Sequence, residues 1–117
     1  MIVYIAAPLT KGDRPKNLNR AIDAGERIAN RGHVVFIPHL FDLWHLIHPH
    51  EYNFWMRQDL AWLRKCEVLV RLHGFSEGAD KEEGLARQWG LAVYGSATTD
   101  GLNEFMNSQH WCMTNEY

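Results

Sequence analysis

Apolar positions fall into short unbroken runs separated by stretches of helical period. Ile2 to Ala7 (IVYIAA) is continuous, partly β-branched and closed by Pro8, the pattern of a strand buried on both faces. After the polar loop TKGDRPK, a helix is predicted from Asn17, with Leu18, Ala21, Ile22, Gly25, Ile28 and Ala29 at helical spacing and a closing glycine at Arg31-Gly32. HVVFIP follows as a second buried strand, so strand, helix and strand fit in roughly 35 residues, the length of a right-handed βαβ unit. HLFDLWHLIHPH has no clean period and reads as a long, partly helical loop. EYNFWMRQDLAWLRKC reads as a second helix, with Phe54, Trp55, Gln58, Ala61, Trp62 and Cys66 near one stripe and Arg64 and Lys65 where the helix dipole favours cations. VLVRL is a third strand, GADKEEGLARQWG a third helix ending at Gly90, LAVYG a fourth strand and DGLNEFMNS a short last helix. The tail QHWCMTNEY carries no assignable pattern.

Alternation of this kind predicts an α/β fold: a doubly wound parallel sheet of four to five strands with helices on both faces, Rossmann/flavodoxin-like, in one domain over residues 1–117. Such sheets bind ligands beyond the carboxyl ends of their strands. Three loops open onto that edge: Ala7, Pro8 and Leu9 after strand one, Pro38 and His39 after strand two, and His73 to Ala79 after strand three.

Composition narrows the function classes. A length of 117 residues, 46% hydrophobic, suffices for one domain with a core and is too short for two. The net charge of −2, without any block of like charge, argues against a nucleic acid polymer as partner. Cys66 and Cys112 form no CxxC, and the N-terminus lacks the basic and long apolar regions of a signal peptide, so a reduced, cytoplasmic protein is expected. No apolar run approaches the roughly 18 residues of a membrane span, so no membrane association is expected. Five Trp are many for so short a chain and suit either packing and an oligomer interface or a stacking wall for a planar ligand.

The richest stretch for chemistry is FSEGADKEEGLA, Phe75 to Ala86. Gly74 and Gly78 flank it so that backbone amides can approach a ligand at the mouth of a helix. Ser76, Gly78, Glu82 and Ala86 share a helix face that can turn toward the crevice, which leaves Glu77, Asp80 and Glu83 to face water. Asp59 is a second candidate, a short acid set inside a helix beside Leu60 and Trp62, where helices disfavour it. His39, His45, His48 and His50, with Asp42 and Glu51, invite a zinc or iron reading, but their spacing fits no single helix face. A mobile lid over the ligand is the better reading of that loop, with His39 its best contact, and no metal is called for.

VYIAAP in the first strand, DLAWL in the second helix and S-x-G-A-x-x-E opening the third together resemble the nucleoside 2-deoxyribosyltransferase-like superfamily, including its branch of 2′-deoxynucleoside 5′-monophosphate N-glycosidases. The likeness spans about residues 2 to 95. It implies that Glu82 is the nucleophile attacking C1′ of the sugar, Asp59 the acid assisting the departing base, and Tyr4 a hydroxyl near both. Ser76 and Gly78 would hold the 5′ end, with Ala7, Pro8 and His39 as further substrate contacts and no cofactor. Relatives that act on free nucleosides resemble this motif but carry aspartate at the place of Ser76. A neutral serine beside glycine amides tolerates a phosphate dianion, which points to a nucleoside 5′-monophosphate. Tyrosine at Tyr4, where ribonucleotide-hydrolysing relatives look to have phenylalanine, leans toward 2′-deoxy sugars.

Three positions depart from the family pattern. Ala7-Pro8 replaces a common Gly followed by Ser or Pro, Glu67 replaces an aspartate, and Arg71 puts a charge in the third strand. In relatives a neighbouring subunit completes the site, so a homodimer is implied, with Ser96, Asn103 and Tyr117 as candidate contributors. Base exchange between nucleosides, and a non-catalytic nucleotide-binding protein on the same fold, stand as alternatives.

Overall fold

The structure, a computed structural model, describes residues 1–108. Strand β1 (Ile2–Ala6) leads through helix α1 (Arg14–Ala29) to β2 (Val34–Phe36). A 3-10 turn (Pro38–Leu40) passes directly into α2 (Phe41–Ile47), then α3 (Tyr52–Leu63), β3 (Val68–Arg71), α4 (Glu77–Gln88), β4 (Ala92–Tyr94) and α5 (Gly101–Ser108). The four strands are all parallel, in the order β2-β1-β3-β4. The chain therefore leaves β1 toward one edge and returns to its other side at β3, which makes a topological switch point between those two strands.

Side-chain alternation along the strands sorts the core into two layers. Val3, Ile5, Val68, Val70 and Leu72 meet Ala21, Ala24 and Ile28 of α1 and Phe105 of α5 on one face. Tyr4, Ala6 and Leu69 meet Leu63 of α3 and Ala79 and Ala86 of α4 on the other. The sheet, the helices on both faces and the parallel order agree with the sequence reading.

Local details differ from expectation. Helix α1 begins at Arg14 rather than Asn17, because Asp13 accepts a hydrogen bond from the Lys16 amide at 3.1 Å and Pro15 suits the first turn. On α3 the inward stripe runs through buried Met56 and Leu63 with half-buried Asp59 between them, while Ala61 and Trp62 are exposed, Trp62 by 49%, so the expected stripe through Phe54, Trp55, Gln58, Ala61, Trp62 and Cys66 is rotated. Strand β3 is buried throughout despite Arg71, whose side chain is fully enclosed and ion-paired to Asp80 at 2.7 Å and Glu83 at 3.2 Å. Asp80 and Glu83 are thus counter-ions and not merely solvated acids.

At the edge of the sheet, Gly95 (φ +85°) turns the chain so that Gly101 opens α5 against the backbone. A Cβ at Gly101 would collide with the Tyr94 carbonyl and lie 2.8 Å from the Arg71 carbonyl, neither of which is a movable side-chain end. Gly101→Ala is expected to destabilise the fold by about 2 kcal/mol or more. Gly84→Ala, in a helix with nothing within 4 Å, should stabilise by about 0.5–1 kcal/mol. Urea unfolding of the two variants checks this pair of opposite signs.

Candidate active site

Tyr4 lies on the face of β1 that meets α3 and α4, with none of its surface exposed. Its hydroxyl donates to Glu82 Oε2 at 2.5 Å. Glu82 occupies the second turn of α4, between Ala79 and Ala86 on the stripe that packs against the sheet, which is why it is only 5% exposed while its neighbours in sequence reach water or Arg71. Asp59 stands on the buried stripe of α3, one turn from Met56 and one from Leu63, so α3 presents it to Glu82. One of its oxygens, Oδ1, is buried with no hydrogen-bond partner among the described residues.

Two carboxyl groups in one dry place cannot both ionise freely. Burial, the largest cause, raises Asp59 to about 7; burial followed by the Asp59 charge raises Glu82 to about 8. The Tyr4 hydrogen bond and the Arg71 charge act in the opposite direction on Glu82. Near neutral pH the two acids therefore hold one proton between them, and either can carry it. Burial and the adjacent Glu82 charge push the Tyr4 phenol well above its ordinary value, so it stays a hydrogen-bond donor.

Glu82 and Asp59 form the floor of a cavity of about 550 Å³ at the switch point. Leu9, Thr10, Lys11 and Arg14 close one side, and Pro38, His39, Phe41, Asp42 and His45 another. The remainder comes from His50, Tyr52, Trp55 and Met56 and from Ser76 to Ala79 at the start of α4. Arg14 is ion-paired to Asp42, its Nε donating to Oδ2 at 3.1 Å. His39 donates from Nε2 to the Pro8 carbonyl at 2.9 Å, and burial lowers its pKa, so the ring is neutral with Nδ1 bare. His45 Nδ1 accepts from the Trp55 indole at 2.7 Å, which anchors α2 to α3. Ser76 caps α4, its Oγ accepting from the Ala79 amide at 3.1 Å. A Cβ at Gly78 would meet Tyr52 and Met56 at 3.6 and 3.7 Å, ordinary contacts, so the protein's own packing does not require glycine there; its absence of a side chain widens the cavity.

Of the residues expected from sequence, Glu82, Asp59 and Tyr4 come together, and Ser76, Gly78 and His39 line the same cavity. Ala7 and Pro8 do not contribute side chains to that wall. Ala7 follows Val3 and Ile5 onto the opposite face of the sheet and packs in the core there, and Pro8 is buried with its carbonyl taken by His39. Leu9, Thr10, Lys11 and Arg14 serve in their place; the rule that selected the loop after strand one could have carried the search further into TKGDR. Ser96 caps a local turn through the Thr98 and Thr99 amides, Asn103 lies on α5 at the other face, and Tyr117 is outside the described residues. Among the described residues no three His, Cys, Asp or Glu side chains are grouped to hold a metal ion. Within the stretch read as a lid, α2 packs Phe41 and Trp44 against Trp55. Trp55 alone of the described tryptophans lines the cavity; Trp62 stacks on Phe36 behind Tyr4, and Trp89 under Arg64.

Residues 1–95 match the family described as a domain of unknown function (DUF4406). Comparison with curated proteins gives no match. Among solved structures the chain is similar to a 2-deoxyribosyltransferase from the psychrotolerant bacterium Bacillus psychrosaccharolyticus, with a TM-score of 0.59 and 19% identity over 100% of this chain and 92% of that one. At that identity the likeness establishes a shared fold. Among the described residues no helix is long and apolar enough to cross a membrane.

The raised acids set a pH dependence of stability. Because their folded pKa values lie above the unfolded ones, the folded state binds more protons between about pH 4 and 8, so the pair's contribution is full below the unfolded values and is lost as pH rises through about 7 to 8. Asp59→Asn removes one of the competing charges. It is expected to raise stability by about 1–2 kcal/mol at pH 8 and by little at pH 4, as read from urea unfolding at both pH values.

Proposed function

The chain belongs to the DUF4406 family, and from that premise and the site just described we propose that it hydrolyses the N-glycosidic bond of nucleoside 5′-monophosphates, with 2′-deoxynucleotides preferred. The observation that carries this reading is the buried Glu82–Asp59 pair, with the Tyr4 hydroxyl on Glu82, at the floor of a nucleotide-sized cavity. The shared fold of a 2-deoxyribosyltransferase supports it.

In this reading the singly protonated pair is the working form. Glu82 as carboxylate attacks C1′; the C1′–N bond breaks, its electrons leave with the base, and the base takes the proton from Asp59. Charge that develops on the sugar is stabilised by the same carboxylate, whose position the Tyr4 hydrogen bond holds. Asp59, now ionised, accepts a proton from a water that attacks C1′ and releases Glu82, leaving free base and sugar 5-phosphate. Separation of two acids into nucleophile and proton donor is the arrangement by which carboxyl pairs cleave glycosidic bonds. Trp55 and Phe41 supply flat apolar surface for the base.

The phosphate is assigned to the end of the cavity where Ser76 and Gly78 begin α4. Amides at a helix start favour an anion, and Lys11 adds a cation at that end, its ammonium 5.3 Å from the ring centre of Phe75. Assembly as a homodimer, in a cytoplasmic setting and without a cofactor, completes the proposal.

Incubation with a panel of ribo- and deoxynucleoside monophosphates, read by chromatography, is expected to give free base and sugar phosphate. Glu82→Gln should lower that rate by about a thousandfold or more, and Asp59→Asn by about a hundredfold or more. Full turnover in Glu82→Gln would retire the mechanism. Exchange of bases when a deoxynucleoside and a free acceptor base are supplied would favour the transferase, and return of every nucleotide intact a binding protein. Lys11→Ala is expected to raise KM for monophosphates about tenfold while leaving any weak turnover of the corresponding nucleosides unchanged, because only the former carry the dianion that the ammonium faces.

A further inference from the structure

Phe75 is 65% exposed and stands immediately before Ser76, the residue that caps α4. An apolar side chain at that place often packs on the fourth residue of the helix, but here the fourth residue is Asp80, which turns to Arg71. No such staple accounts for the phenylalanine. Its ring instead carries the Lys11 ammonium, 5.3 Å from the ring centre. Lys11 belongs to the loop after β1 and Phe75 to the loop after β3, and these loops run in contact, since a Cβ at Gly74 would come within 2.8 Å of the Pro8 ring.

Lys11 is tied at its main chain as well. The side-chain amide of Asn17, on α1, reaches out of the helix to donate to the Leu9 carbonyl at 3.0 Å and the Lys11 carbonyl at 2.7 Å. Gly12 (φ +82°) then turns the chain toward the start of α1, a conformation for which glycine is suited. Of the Lys and Arg side chains that line the cavity, Arg14 is engaged by Asp42, whereas Lys11 makes no ion pair among the described residues. Its charge is not cancelled.

We propose that Phe75 is a positioning residue for Lys11: its ring holds the ammonium beside the start of α4 while Asn17 holds the loop that carries it, so an anionic group entering that end of the cavity meets a cation already in place. The proposal rests on the reading that puts the phosphate there. A lysine free in solvent loses rotamer freedom when it meets an anion, and an earlier contact removes part of that loss. A ring face suits the task better than a carboxylate would, because it attracts the cation without neutralising it.

The test compares Phe75→Leu, which keeps an apolar side chain without a ring, with Phe75→Trp, which restores one; the exposure of the position makes both compatible with folding. Phe75→Leu is expected to raise KM for nucleoside monophosphates about threefold, with kcat and any turnover of nucleosides unchanged, and Phe75→Trp to return KM to within about 1.5-fold of wild type. When Lys11 is already alanine, Phe75→Leu should have no further effect. An equal rise in the Lys11→Ala background, or a fall in kcat with KM unmoved, would show that the ring acts apart from Lys11 and would overturn the proposal.

NMR of the ligand-free protein gives a reading that needs no turnover. The Lys11 ε-methylene protons are expected upfield of those of the other lysines in wild type, and among them in Phe75→Leu. Titration with inorganic phosphate is expected to shift the Ser76, Glu77 and Gly78 amides, with a Kd about threefold higher in Phe75→Leu. Ordinary Lys11 signals in wild type, no response to phosphate, or equal phosphate affinity in the two proteins would each overturn the proposal. A protein that releases no base yet gives both signals would lose the proposed activity and keep Phe75 in this role.

Discussion

The Tyr4 hydroxyl reaches Glu82 across the seam between a central strand and the helix packed on it, at 2.5 Å, and the rest of the site is arranged around that contact. β1 is held on both sides by parallel partners, and Tyr4 on it is fully enclosed. With one end of the contact immobile, the rotation of α4 about its own axis is set, and with it the directions of Ser76 and Gly78 toward the cavity and of Asp80 and Glu83 toward Arg71. Helix α3 then needs only to lie beside α4 for Asp59 to meet the pair.

That arrangement costs stability and is offset elsewhere. Two acids held above their ordinary range, one of them with an unpartnered buried oxygen, oppose folding at neutral pH. The two apolar layers of the sheet supply the opposing term: they contain all of β1 after its first residue, all of β3 except Arg71, and the inner faces of α1, α4 and α5. The scaffold thus carries a destabilised carboxyl pair at its edge, dry enough to hold a proton near neutrality. Buried acids normally find a hydrogen bond for each oxygen, and Asp59 Oδ1 departs from that rule among the described residues.

How much was legible from the chain alone varies from residue to residue. Glu82 stands out in the sequence as a carboxylate on the inward face of an opening helix, six residues after a serine, and the structure buries it against Tyr4. Lys11 and Arg14 were passed over because a polar loop rich in Gly and Pro has no periodicity to show which of its side chains turn inward. For Ala7 the reason lies in strand register. It sits in the loop that borders the site, but strand alternation carries its side chain to the far face, and one residue of register separates a ligand contact from a core position. Helix α2 reads from sequence only as part of a partly helical loop, because it is short and its apolar residues Leu43, Leu46 and Ile47 are exposed, so it lacks the stripe by which helices are recognised.

Strand and helix order, the parallel sheet and the edge on which a ligand would sit follow from local periodicity and chirality, which act over a few residues and are written in the chain. Which acids are buried, and which merely solvated, is not local. Glu82 and Glu83 are adjacent in sequence and identical in chemistry, yet one faces Tyr4 and Asp59 and the other a buried guanidinium. That difference arises only when β1, β3, α3 and α4 pack together, because a charge takes its energy from the surroundings that folding assembles from distant parts of the chain.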